Sequence, residues 1–189
     1  MNAKTWDRPS NVKLRSFSKS LPMSLLLARE AVMQRFRTSL HLFNITEQQW
    51  RVLRALSSIN EIEVTALAKV TYLLTPSLSR ILKDIESRGF IVRRAAPDDM
   101  RRALISISPQ GLMLIDAVAP YSEGIYGEIY NAFGKERMDL LQQLLKELTE
   151  TLNVLPPITY TGAELSPEIN AIAFGKSRRG SQPAEASEE

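Results

Sequence analysis

The chain has 189 residues, 44% hydrophobic, 24% charged and 7% aromatic, which suits one globular domain with a real core and leaves little room for two independent ones. The absence of cysteine excludes disulfides, thiolate metal sites and thiol redox chemistry, and the single histidine, His41, leaves no imidazole cluster for zinc. A net charge of +3 hides an asymmetry: residues 1–42 carry eight Lys/Arg against two acids, residues 51–102 ten against six, and residues 103–155 three against seven.

A basic front joined to an acidic, leucine-rich back suggests a surface for a polyanion, although charge alone reads equally well as solvated surface. No apolar run approaches a membrane span, because Leu25–Ala28 is cut short by Arg29 and Glu30. The expectation is a cytoplasmic protein with no membrane contact. Residues 1–21 are basic and aperiodic, and are read as a flexible arm in preference to a transit peptide.

The first helix is expected from about Met23 to Leu42, with Leu26, Met33, Phe36 and Leu40 on its apolar face and a break at Asn44. Thr46 and Gln49 have capping-box spacing and open a second helix that turns Trp50, Leu53 and Leu56 inward. Val64, Leu67 and Ala68 mark a short third helix, followed by a turn over 71–74. A fourth opens at Thr75, with Pro76 in the first helical position, and Leu78, Ile81, Leu82 and Ile85 form one buried stripe ending at Gly89. Its other face carries Ser77, Ser79, Arg80, Lys83 and Ser87, all hydrogen-bond donors.

Phe90–Arg94 and Ala103–Ile107 read as a hairpin with a long charged tip over 96–102. Ser108 and Pro109 open a helix through about Phe133, kinked at Pro120. A last helix, from Lys135 to about Leu152, presents Met138, Leu141, Leu144, Leu145, Leu148 and Leu152, a stripe too apolar to stay wet. From Pro156 the composition turns to Gly, Pro, Ser and Ala, which predicts a mobile tail with at most a short docked piece near 169–174.

Short helix, tight turn, amphipathic helix and basic hairpin, in that order, make a winged helix-turn-helix. The fold class is mainly α with a small β-hairpin wing, plus a helical dimerisation region. The fourth helix points Ser77, Ser79 and Arg80 at a major groove, with Lys83 further along, while Arg101 and Arg102 suit a minor groove or phosphates. Asp98 and Asp99 would repel phosphate, so Asp99 at least is expected to pair with an arginine and hold the tip in shape.

The segments Gln49–Arg54, Leu74–Ser79, Gly89–Arg93, Pro97–Arg102 and Ser108–Gly111 resemble the MarR family of regulators, over about Leu21 to Leu152. Ala28–Ala31, Phe36-Arg37 and Ile45–Arg51 are similar to the branch that controls homoprotocatechuate and 4-hydroxyphenylacetate catabolism. The resemblance implies a repressor that acts as a homodimer on a pseudo-palindromic operator in double-stranded DNA, and no cofactor. It divides the chain into the arm (1–21), a core domain (22–153) and the tail (154–189). Within the core, a DNA-binding lobe spans about 46–108, and dimerisation helices span about 22–43 and 109–153. It carries DNA contacts onto Thr75, Pro76, Ser77, Ser79, Arg80 and Arg101, with Asp99 as the internal partner of Arg101. Thr75 is a departure, since close relatives carry arginine there, which implies a different operator.

The resemblance further implies a small aromatic acid, or its coenzyme A thioester, as effector, held by Ser20, Arg29, Trp50, Arg54 and Tyr126. Trp50 would supply a flat wall, Arg54 a carboxylate partner, and Ser20 and Tyr126 hydroxyl groups. Alternatively, Trp50 and Tyr126 belong to the core and Arg54 pairs with a glutamate. A ligand-independent DNA-binding regulator or activator, and a winged helix used only for protein contacts, remain as competing functions. An enzyme is not expected, because no catalytic grouping is visible.

Overall fold

The computed structural model describes residues 15–97, 99–158 and 166–174, without the side chains of residues 100, 101, 167, 170, 173 and 174. The arm before residue 15, Asp98 and most of the expected tail lie outside the described residues.

Helix α1 (Leu21–Leu42) starts two residues earlier than its periodicity suggests, because Pro22 falls in the first turn, where a missing N–H costs nothing. Asn44 then adopts a left-handed conformation with φ 51°. Helix α2 (Glu47–Leu56) begins with the expected capping box: Thr46 N donates to Gln49 Oε1 at 2.7 Å, and Gln49 N to Thr46 Oγ1 at 3.2 Å. Strand β1 (Ile62–Glu63) leads directly into α3 (Val64–Thr71). Tyr72, left-handed at φ 51°, ends α3, and α4 (Thr75–Ser87) follows with Leu74 as N-cap, so that Pro76 is its second residue and not its first.

Gly89, at φ 74°, closes α4 as expected. The wing is β2 (Ile91–Ala96) against β3 (Asp99–Ile107), and its tip is much shorter than the sequence suggests. Ala95 faces Ala103 but Ala96 faces Asp99, so residues 100–102 are absorbed as an irregularity within β3. A third strand appears that the sequence did not indicate, since Ile62 and Glu63 pair antiparallel with Ile105 and Leu104 on the other edge of β3.

Helix α5 (Pro109–Phe133) runs on through Pro120. Ser108 caps it by accepting from Gly111 N at 3.0 Å while donating to Gly89 O at 2.6 Å, which ties the end of α4 to the start of α5.

Two apolar clusters hold these elements together. The larger joins Leu53, Leu67, Leu78, Leu82, Ile85, Ile105 and their neighbours from α2, α3, α4 and the wing, and the smaller joins Phe36, Leu40, Ile45 and Val118. Trp50 and Leu114 pack against both. Burying one such aliphatic side chain contributes about 1.5–3 kcal/mol. The α4 stripe is therefore fixed from within, as expected, although Ile81 is only partly buried and Leu26 of α1 is exposed.

The chain divides into two compact units, Met1–Met138 and Asp139–Glu189. All of the above belongs to the first. The second holds most of α6 (Lys135–Val154) and α7 (Pro167–Phe174). No residue of α6 is buried within the single chain. Helix α7 forms at the expected docked piece, yet Ile172 is 81% exposed. Among the described residues, no helix is long and apolar enough to cross a membrane.

Candidate nucleic-acid interface and ligand pocket

Burial of Leu78, Leu82 and Ile85 forces the opposite face of α4 outward, and Thr75, Pro76, Ser77, Ser79, Arg80 and Lys83 are all exposed on it. The Ser79 and Ser87 hydroxyls donate internally, to Thr75 O at 2.9 Å and Asp84 O at 2.7 Å, so each presents its oxygen as an acceptor. Among the described residues, no ion pair involves Arg80 or Lys83. Their charge is available to a polyanion.

The wing is differently organised, since its arginines are largely paired. Arg93 meets Glu86 at 3.2 Å, Arg94 forks onto Glu61, and Arg102 donates to Glu63 of β1 at 2.5 Å. An Asp99 carboxylate oxygen lies 3.9 Å from Arg102 Nε. The Arg101 side chain, the partner implied by resemblance, lies outside the described residues.

A cavity of about 280 Å³ opens between α1, α2 and α5, lined by Met33, Glu47, Trp50, Arg51, Arg54, Ala119, Ser122, Glu123 and Tyr126. Three of the five expected effector residues, Trp50, Arg54 and Tyr126, meet there. Arg54, one of the lining residues, has its guanidinium 6.0 Å from the Trp50 ring centre and, among the described residues, enters no ion pair. Tyr126 packs edge-on against Phe36, with ring centres 5.0 Å apart, which leaves its ring fixed and partly exposed.

Arg29 is not among the lining residues but pairs with Glu47, which is. Ser20 is not brought to the cavity. It N-caps α1 and its hydroxyl donates to Phe17 O at 3.0 Å.

Sequence reasoning missed Glu47, Ser122 and Glu123. Glu47 receives Arg29, Arg37 (3.3 Å) and Arg51 (2.9 Å), and its side chain is 15% exposed. Arg37 also forks onto Glu30. That hydrogen bond, more than the surrounding charge, holds the Glu30 carboxyl below its usual range and raises Arg37. The carboxylate at position 47 and the arginines at 29, 37 and 51 were all readable, but nothing local showed that three helical turns converge. His41 lies in the last turn of α1, lining a second cleft with Asn44, Thr46, Gln49, Asp84 and Arg88.

Comparison with known proteins agrees with this geometry. The model of the MarR family matches residues 45–103. The homoprotocatechuate degradative operon repressor of Escherichia coli is 37% identical over 128 residues, 68% of this chain and 86% of the relative. The HTH-type transcriptional regulator FarR of Neisseria gonorrhoeae is 35% identical over 136 residues, 72% of this chain and 93% of the relative. Among solved structures, NadR in complex with 4-hydroxyphenylacetate superposes with a TM-score of 0.62 at 35% identity, over 75% of this chain and 97% of that one.

Proposed function

Because the chain belongs to the MarR family, whose relatives matched above are transcriptional regulators and repressors, we propose that it is a homodimeric repressor of aromatic-catabolic genes. A small aromatic acid releases it from a pseudo-palindromic operator. The observation that carries the ligand half of this reading is the cavity where Trp50, Arg54 and Tyr126 meet, in a chain 35% identical to a protein solved with 4-hydroxyphenylacetate.

Trp50 offers a flat apolar wall, Arg54 a cation outside any ion pair among the described residues for the carboxylate, and Tyr126 a phenol for a ring substituent. A cavity of about 280 Å³ accommodates a single-ring acid, whereas a coenzyme A thioester would have to leave its carrier outside. The free acid is the better fit.

For DNA, Thr75, Pro76, Ser77, Ser79 and Arg80 enter the major groove, Lys83 meets phosphate, and Arg101 works from the wing. Arg102, held between Glu63 and Asp99, shapes the wing more than it contacts DNA. The exposed apolar stripe of α6 supports dimerisation, and a two-fold dimer suits half-sites about 34–36 Å apart. The test is fluorescence anisotropy of the full chain on its own upstream DNA, with and without hydroxylated phenylacetates, benzoates and cinnamates. Tight, salt-sensitive binding released by one acid is expected. Tight binding that no compound alters would leave a ligand-independent regulator, and no specific binding would overturn the reading.

A further inference from the structure

Arg51 has two commitments that reach different parts of the fold. Its Nη2 donates to Glu47 Oε1 at 2.9 Å, in the wall of the cavity, and its Nη1 donates to the backbone carbonyl of Thr71 at 3.2 Å. Thr71 is the last residue of α3 and only 1% exposed. Carbonyls in the last turn of a helix have no partner within it, and a guanidinium there satisfies both the hydrogen bond and the negative end of the helix. The next residue, Tyr72, is the left-handed one that ends α3, and Leu74 is the N-cap of α4. One side chain thus joins a carboxylate in the cavity wall to the backbone that sets where the reading helix begins.

We propose that Arg51 is a positioning residue through which charge in the cavity is felt at the α3–α4 turn. This rests on the ligand reading above and deepens it. The lining carries Arg51 and Arg54 against Glu47 and Glu123, and Glu47 is already paired with Arg29 and Arg37 from α1, so an anion entering beside Arg54 meets arginines whose carboxylate is shared. An entering carboxylate competes with Glu47 for Arg51. As Arg51 follows the new anion it leaves Thr71 O without its partner, and the turn loosens its hold on α4. Arg54 binds the ligand, whereas Arg51 transmits its presence.

The test compares the full-length wild type with Arg51→Met and Arg51→Lys by three readouts. These are amide hydrogen exchange across residues 70–78, calorimetric binding of 4-hydroxyphenylacetate, and operator affinity with and without that acid. Loss of this part-buried hydrogen bond is expected to speed exchange at the turn about tenfold in Arg51→Met, with no ligand present. The acid still binds Arg51→Met through Arg54, though more weakly because the anion also draws on Arg51 in wild type, and at saturating acid its effect on operator affinity, typically about 5–150-fold for coupled sites, falls below about threefold.

Arg51→Lys, whose ammonium serves one partner at a time, falls between, and it carries the test if the Met variant does not fold. Unchanged exchange at the turn, or an undiminished ligand effect in a variant that binds the acid, overturns the proposal. Failure of wild type to bind any aromatic acid sinks the ligand reading, and with it the transmission proposed here, even where the ligand-free exchange shows that Arg51 braces the turn.

Discussion

Gly111 lies directly against the backbone carbonyl of Phe90. A Cβ on Gly111 would fall well inside van der Waals contact with that oxygen and 2.7 Å from Ile107 Cγ1. The first turn of α5 is thereby pressed onto the point where α4 hands over to β2, and Ser108 bonds both sides of the same junction. Since the obstructing atom is backbone, it cannot swing aside. Gly111→Ala is expected to destabilise the fold by about 1–3 kcal/mol, as overpacking does. Urea denaturation read by circular dichroism checks this, and a midpoint equal to wild type would mean that the contact relaxes freely.

The start of α2 makes a milder prediction. Thr46 and Gln49 satisfy each other's free backbone N–H groups, so Thr46→Ala leaves the Gln49 N–H without its acceptor while the bond from the backbone N–H of residue 46 to Gln49 Oε1 survives. The cost is about 1 kcal/mol. Thr46→Ser, which keeps the hydroxyl, should recover most of it, and equal losses in the two variants would point to packing of the methyl group instead.

On the reading helix, Arg80 and Lys83 share an exposed face but are assigned different work. Arg80→Ala is expected to cost about 1–3 kcal/mol on the operator and to relax preference at one base pair. Lys83→Ala should weaken operator and unrelated DNA alike and reduce the log–log salt slope by about one unit. Anisotropy titrations at several salt concentrations separate the two, and matching profiles would contradict the assignment.

These predictions draw unequally on the sequence. The α2 cap, the apolar stripe of α4 and the Ser108 cap depend on residues within one or two turns of each other, and local spacing displays them. Strand β1 escaped because two residues, Ile62 and Glu63, carry no periodicity, and it exists only because β3 offers an edge. The short wing tip escaped because a register shift opposite Ala96 absorbs residues that read as loop. In the cavity, the aromatic and cationic residues of α2 were legible through resemblance. The convergence on Glu47 was not, because Arg29 and Arg37 approach from another helix and ion pairing across helices leaves no mark in spacing.

The Glu30–Arg37 pair predicts a pH signature. The Glu30 carboxyl is depressed below its ordinary value of 4.5 chiefly by the hydrogen bond from Arg37. A depressed carboxylate contributes stability that is present above the unfolded-state value and is lost as pH falls through the folded-state value. The difference in melting temperature between wild type and Glu30→Gln is therefore expected at pH 7 and should close below the ordinary carboxylate range. Because both side chains are open to solvent, the difference is small and shrinks with added salt. A gap that persists in acid would show that Glu30 acts through packing.

Helix α6 carries the largest remaining demand on a partner. Leu141, Leu144, Leu145 and Leu152 are 39–54% exposed in the single chain, more contiguous apolar surface than a lone soluble chain ordinarily leaves wet. Leu141 and Leu145 are four residues apart and so lie on one face. In a two-fold dimer each leucine counts twice, and each, already about half-buried, adds on the order of 1 kcal/mol when its remaining surface is covered. The double variant Leu141→Glu, Leu145→Glu should therefore sediment as a monomer at micromolar concentration. Its wing module keeps its own core, since neither cluster includes an α6 residue, so half-site contacts survive while the gain from tethering two modules disappears. Operator affinity is expected to fall about a hundredfold, the usual scale of that gain. A variant that stays dimeric and binds the operator fully would place the dimer interface elsewhere.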